Sequence, residues 1–241
     1  MKWSKRRWLI LLVTLLAVWV TASLGRWQLS RAQQKLDGAA ERQAQASKPL
    51  LDGQSLNQSD AALKALVGRR LSLKGQWVPQ ATVYLDNRQM QGRPGFEVLT
   101  PLQLSDSPVV ILVQRGWIPR SFVSRTDLQP IVTPAGEVSL QGILTPWPSR
   151  LYDFAEQEKG PIRQNLDSAA YRQETGLTLS NWTVRQTGEA SEGLLRQWNE
   201  VATGVEKHWG YAFQWFGLSG LLILLYVWFQ IVQPRRTSTP R

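Results

Sequence analysis

Residues 209–234 read WGYAFQWFGLSGLLILLYVWFQIVQP, with no Lys, Arg, Asp, Glu or His among them. A helix rises about 1.5 Å per residue, so this run reaches roughly 39 Å, against a hydrocarbon core of about 30 Å. From Leu221 to Ile231 it is apolar on every side, which leaves no polar face for water and argues against a buried core helix. A second uncharged run lies near the start of the chain, residues 8–25, WLILLVTLLAVWVTASLG, long enough for roughly 27 Å of helix. Trp3 and Trp8 stand at the ends of the first run and Trp209, Tyr211 and Trp228 at those of the second, where amphipathic rings favour a membrane–water boundary. A cleavable signal peptide shares the basic start and apolar stretch, but this stretch exceeds a typical h-region and no clear A-x-A site follows it.

The charge has a matching distribution. The chain has 28 basic and 18 acidic residues, a net charge of +10 that would ordinarily raise the question of nucleic acid. Lys2, Lys5, Arg6 and Arg7 precede the first run, and Arg235, Arg236 and Arg241 follow the second. All 18 acidic residues lie between Asp37 and Glu206, so the 21 basic residues of segment 26–207 leave it only +3. Basic residues in short tails mark the cytoplasmic side, while a long loop is translocated largely regardless of its charge. The expectation is an inner (plasma) membrane protein that crosses twice and binds no nucleic acid. Residues 1–7 and 234–241 are its cytoplasmic tails, 8–25 and 209–233 its transmembrane helices, and 26–207 a periplasmic domain.

Within that domain, residues 26–46 are rich in Gln, Ala, Arg and Leu and follow the first span without a proline, so they extend its helix. A short helix is predicted at 60–67, with Ser59 or Asp60 as N-cap. After Gly68 the texture turns to short β-type runs, RLSLKGQWV (70–78), TVYLD (82–86), FEVLTPLQL (96–104), VVILVQRGW (109–117) and EVSLQGIL (137–144), with a helix at 167–174 and a last strand at 181–185. Short strands joined by Gly- and Pro-rich turns predict an antiparallel sheet or small barrel rather than βαβ units. The fold class is thus two transmembrane helices flanking an α+β extracytoplasmic domain.

Composition excludes much chemistry. With no cysteine there is no disulfide, thiolate metal site or covalently attached haem. The single histidine, His208, abuts the second span, so a Ser–His–acid arrangement inside the domain lacks its base. Glu156 and Glu158 read as solvated loop residues, and Gly92-Arg-Pro-Gly95, without a following helix or Lys-Ser/Thr, as a turn rather than a phosphate cradle. Helical spacing puts His208, Tyr211, Ala212 and Trp215 on one face, and Gly210, Gln214 and Gly217 on another suited to close helix packing. An imidazole with aromatic neighbours fits either an interfacial polar residue or an axial ligand of haem iron.

Four segments, in order along the chain, carry a resemblance. Leu24-Gly-Arg-Trp-Gln-Leu-Ser-Arg31 with Lys35 comes first. Leu85-Asp-Asn-Arg88 with Gly92-x-x-Gly-Phe96 and Thr100-Pro-Leu102 comes second, Val113-Gln-Arg-Gly-Trp-Ile-Pro119 third, and His208-x-x-Tyr-Ala-x-Gln-Trp-Phe216 last. Together they resemble the surfeit locus protein 1 family, the cytochrome c oxidase assembly factors known as the Shy-one type in yeast. The resemblance implies a non-enzymatic inner-membrane protein that receives haem a from haem a synthase and helps place it in oxidase subunit I. It also implies that His208 is the axial ligand, with Tyr211 and Trp215 beside the porphyrin. Arg88, Arg115, Trp117 and Trp27 are candidates for contact with a haem propionate or partner, with a structural role in strands as the alternative for Arg115 and Trp117. Many members have Asn two residues before the histidine, where this chain has Glu206. The chain begins almost at the first span, without the import sequence of mitochondrial members, which fits a bacterial member.

Two other functions remain open at this stage: a scaffold that stabilises subunit I without binding haem, and a membrane-anchored periplasmic hydrolase. The topology itself is testable. A periplasm-dependent reporter fused at Ser191 is expected to be active and one after Arg241 inactive, and the reverse would refute the assigned orientation.

Overall fold

The structure, a computed structural model, describes residues 5–121, 123–124, 126–151, 160–198 and 204–233. Trp3, Glu156, Glu158 and the basic residues after Pro234 lie outside them. The chain divides into two compact units, Arg42–Val201 and the terminal segments Met1–Glu41 with Ala202–Arg241.

In the terminal unit, α1 (Lys5–Ser47) is one unbroken helix that runs on beyond the unit's edge. Its partner α4 (Val205–Val227) ends in a π-helical turn over Trp228–Val232. Each contains a segment long and apolar enough to cross a membrane, and nearly all of that surface is unburied in the protein. What is buried is a narrow seam: Thr21, Gly25 and Ala32 on α1, and Val205, Ala212 and Ser219 on α4.

In the other unit, α2 (Asp60–Ala65) starts at Ser59, whose hydroxyl accepts from the Ala62 N–H. Then come β1 (Arg70–Trp77), β2 (Val83–Met90), β3 (Arg93–Leu104), β4 (Val110–Pro119), β5 (Glu137–Thr145), β6 (Ile162–Arg163), α3 (Ser168–Thr175) and β7 (Leu179–Gln186). The order β1-β5-β7-β4-β3 closes on itself through a β1–β3 pairing, Gly75 to Leu104 and Trp77 to Leu102, into a five-strand barrel. Strands β2 and β6 extend the sheet beyond β3. The barrel is small enough to be filled by side chains. Leu71, Leu73, Leu102, Ile111, Val113, Leu140, Leu144 and Val184 fill it, each at or near full burial, worth about 1.5–3 kcal/mol per large side chain.

The expected strands all form, but the sheet is mixed. β4–β7 and β2–β6 are parallel pairs, and a two-residue β6 is too short to leave a pattern in the sequence. The stretch 92–95 splits in two: Gln91 and Gly92, both at positive φ, make the two-residue turn of the β2–β3 hairpin, while Pro94 and Gly95 belong to β3.

Gly95 is held to glycine by contact rather than by dihedral angle. A Cβ there would stand 2.2 Å from the Ile118 carbonyl oxygen and 2.3 Å from the Trp117 ring. Overpacking of this kind costs about 1–3 kcal/mol. The Gly95→Ala protein in detergent is therefore expected to unfold roughly 4–8 °C lower by tryptophan fluorescence, for a loss of about 2 kcal/mol. Gly217→Ala, where a Cβ meets nothing within 4 Å, is the control, and equal midpoints for the two variants would contradict this packing.

Candidate functional site

The two apolar helices run antiparallel, and contacts along the seam fix their register. The Thr21 and Ser219 hydroxyls lie 2.6 Å apart. One turn along α1, the Phe216 ring lies over Gly25, where a Cβ would come within 2.8 Å of Cζ. A further turn brings Gln28 to His208, with Oε1 2.7 Å from Nδ1. Gly204, at the start of α4, faces Lys35. The small residue that lets the helices approach is thus on α1. Added Cβ atoms at Gly210, Gly217 and Gly220 meet nothing within 4 Å, so the glycine face expected on α4 packs against nothing among the described residues.

With the Gln28 oxygen as acceptor, the uncharged ring carries its hydrogen on Nδ1 and Nε2 keeps its lone pair. Gln28 therefore fixes both the tautomer and the direction of the imidazole, as outer-shell partners do for ligating histidines. The sequence places Gln28 in the first motif segment but does not pair it with His208, because the pairing depends on how two helices 180 residues apart align. On α4, Trp215 is two turns beyond His208 and half-buried, and Tyr211 is 51% exposed. Their helical spacing puts both on one flank of the seam. Trp27 is exposed on α1, with the Arg31 guanidinium 5.7 Å from its ring centroid.

The other candidates belong to the sheet unit and are interior. Arg115 has no exposed surface. Its guanidinium stands 4.6 Å over the Trp77 ring and donates to Thr133 Oγ1, the Val132 carbonyl and Glu192 Oε2 at 2.8, 2.8 and 3.0 Å. Arg196 donates to the Arg115 carbonyl and to the same Glu192 oxygen. Trp117 is 1% exposed and donates its indole N–H to the Arg88 carbonyl at 2.9 Å. Arg115 and Trp117 are thus built into the sheet unit by these contacts, each with 1% or less of its surface exposed. Arg88 is 8% exposed, with Nη2 on the carbonyls of Ser149 and Gln164. Asn87, at φ 59°, makes the bulge that turns Arg88 inward. Burial pushes the Arg88 and Arg185 guanidinium pKa values down, opposed by Glu97, and pushes the Glu97 carboxyl up, opposed by both arginines.

Fold and seam define a class: a small closed barrel, preceded and followed in the sequence by helices fit to span a membrane, with one histidine held by an amide between those helices. The sequence profile of the SURF1 family matches residues 15–220, and the chain belongs to that family. A SURF1-like protein of Rickettsia felis is 29% identical over 226 residues, covering 90% of this chain and 94% of that protein. Surfeit locus protein 1 of Arabidopsis thaliana is 33% identical over 135 residues, covering 52% and 36% of the two chains. That of Xenopus tropicalis is 29% identical over 154, covering 57% and 47%.

The seam makes a direct prediction. The chain lacks cysteine, so cysteines introduced as Thr21→Cys and Ser219→Cys are expected to cross-link within one chain in membranes. Adding Gly25→Leu, at an overpacking cost of about 1–3 kcal/mol, should lower the yield. Cross-links forming only between chains, or unaffected by that change, would refute the helix pairing.

Proposed function

We propose that this protein is a membrane-anchored assembly factor for cytochrome c oxidase that takes haem a from haem a synthase and holds it for subunit I, by ligation rather than catalysis. Membership of the SURF1 family supports the oxidase-assembly part of this reading. Two helices fit to cross a bilayer support the anchoring, and the basic tails favour cytoplasmic termini with the sheet unit on the periplasmic side of the inner membrane. Single crossings leave such a chain in contact with lipid on most of both helices.

The observation that carries the haem part is the Gln28–His208 pair. Among the described residues no three His, Asp or Glu side chains gather to hold a bare metal ion. A single imidazole instead suits an iron whose equatorial ligands arrive with a macrocycle. Haem a is the cargo, and His208 Nε2 is the atom that would meet its iron. Gln28 keeps the hydrogen on Nδ1, so the lone pair points away from the amide. Tyr211 and Trp215 offer ring surface on the adjoining flank, and Trp27 remains available for partner contact. With no cysteine to attach a vinyl group, nothing holds the cargo covalently, which keeps it transferable.

Purification from cells that make haem a tests this by absorption spectrum. Wild type is expected to carry haem and His208→Ala to lose it, while Gln28→Leu weakens binding by about 10–100-fold. The same spectrum from His208→Ala would refute ligation. Haem-free wild-type and mutant proteins that both support oxidase maturation would favour a scaffold acting on subunit I.

A further inference from the structure

A cavity of about 380 Å³ opens on the outer face of the barrel wall, within the size range of small-molecule sites. It lies wholly in the sheet unit and is independent of the histidine. Strand register explains its lining. Glu97 on β3 stands opposite Trp117 on β4, and Gln114 on β4 opposite Arg185 on β7, and residues directly opposite share a face. The Asn87 bulge adds Arg88 from β2, and Trp147 and Trp198 complete the walls.

The polar groups of this cavity are unevenly matched. All three indole N–H groups are bonded to backbone carbonyls, Trp117 to Arg88, Trp147 to Ser180 and Trp198 to Gln186, so the rings contribute apolar surface. The guanidinium of Arg185 lies 5.7 Å from the Trp198 ring centroid, which holds it at the wall. Arg88 is more than nine-tenths buried, yet its Nε–H has no acceptor among the described residues, and the Nε–H of Arg185 has none either. Two guanidinium groups face one carboxylate, that of Glu97, which leaves one positive charge in excess. A buried donor without an acceptor is a standing cost that an anion removes, and bidentate geometry makes carboxylate the natural complement of a guanidinium.

We propose that this cavity is a binding site for a small organic carboxylate with a flat apolar body, the carboxylate on Arg185 and Arg88 and the body against the indoles. Glu97 competes for the same arginines, and that gives the site a signature which packing alone does not produce: removing a guanidinium weakens binding, whereas neutralising Glu97 strengthens it.

Calorimetric titration of the full-length protein in detergent with benzoate, and with benzamide as its uncharged counterpart, tests this. Benzoate is expected to bind at least about 10-fold more tightly than benzamide, the factor that about 1.4 kcal/mol supplies. Arg185→Gln should weaken benzoate by a similar factor, Arg185→Lys by less, and Glu97→Gln should tighten it. Should Arg185→Gln fail to fold, the Lys and Glu97→Gln variants still decide the question by the opposite signs of their effects. No benzoate binding, equal binding of the two probes, or weakening by Glu97→Gln would overturn the proposal. So would binding of an aspartate-rich peptide without benzoate, which would make the cavity a peptide-docking site.

Discussion

Hydroxyls on the two apolar helices can bond carbonyls of their own helix, as Thr14 does with Ile10 and Ser219 with Trp215, so what ties one helix to the other is the few polar contacts made across the seam. In the terminal unit Thr21 meets Ser219, and Gln28 meets His208. Bonds of this kind inside a bilayer average only about 0.6 kcal/mol, so their main effect is register rather than stability. A shift of α4 by one residue would rotate both polar groups off the seam at once. Close approach at Gly25, where Phe216 fills the space a side chain would take, brings the pairs within reach. The single histidine is therefore held in one place and one orientation by the Gln28 amide.

The sheet unit rests on a different constraint, the interlocking of the second and third motif segments. The bulge at Asn87 turns Arg88 inward, the missing side chain at Gly95 admits the Trp117 ring, and the Trp117 indole closes on the Arg88 carbonyl. Arg115, two residues earlier on the same strand, points to the opposite face from Gln114 and ties Glu192 and Thr133 to the barrel. Its charge is buried, and removing one partner of such a group costs far more than the pair contributes. These positions act on shape first. The cavity beside them is a consequence of that shape, with Arg88 serving both.

Much of this was legible in the sequence, and the failures have physical causes. Helix length and uniform apolarity announced α1 and α4, because a bilayer imposes a length scale on a linear pattern. Period-2 alternation and turn residues located β1 to β5 and β7 to within a few residues. The parallel β4–β7 pairing was hidden because alternation reports which face is buried and not which strand lies beside it. The glycines of α4 suggested close packing, yet Gly25 of α1 does that work, since a small residue permits contact without specifying a partner. For Arg115 and Trp117 the sequence left a contact role and a strand role side by side, because alternation alone does not say which face of β4 each takes: Arg115 lies over Trp77 of the core, while Trp117 lines the outer wall beside Glu97. His208 was visible as the lone histidine, and Gln28 was not, since nothing local marks one glutamine as the partner of a residue so distant in sequence.

Because the chain has one histidine, selective ¹⁵N labelling of histidine gives the spectrum of His208 alone. The account predicts that, in the uncharged ring, the hydrogen resides on Nδ1, with Nε2 unprotonated, and that Gln28→Leu releases this preference. A ring that carries its hydrogen on Nε2 in the wild-type protein would contradict it, because the nitrogen left for iron would then be the one that faces Gln28.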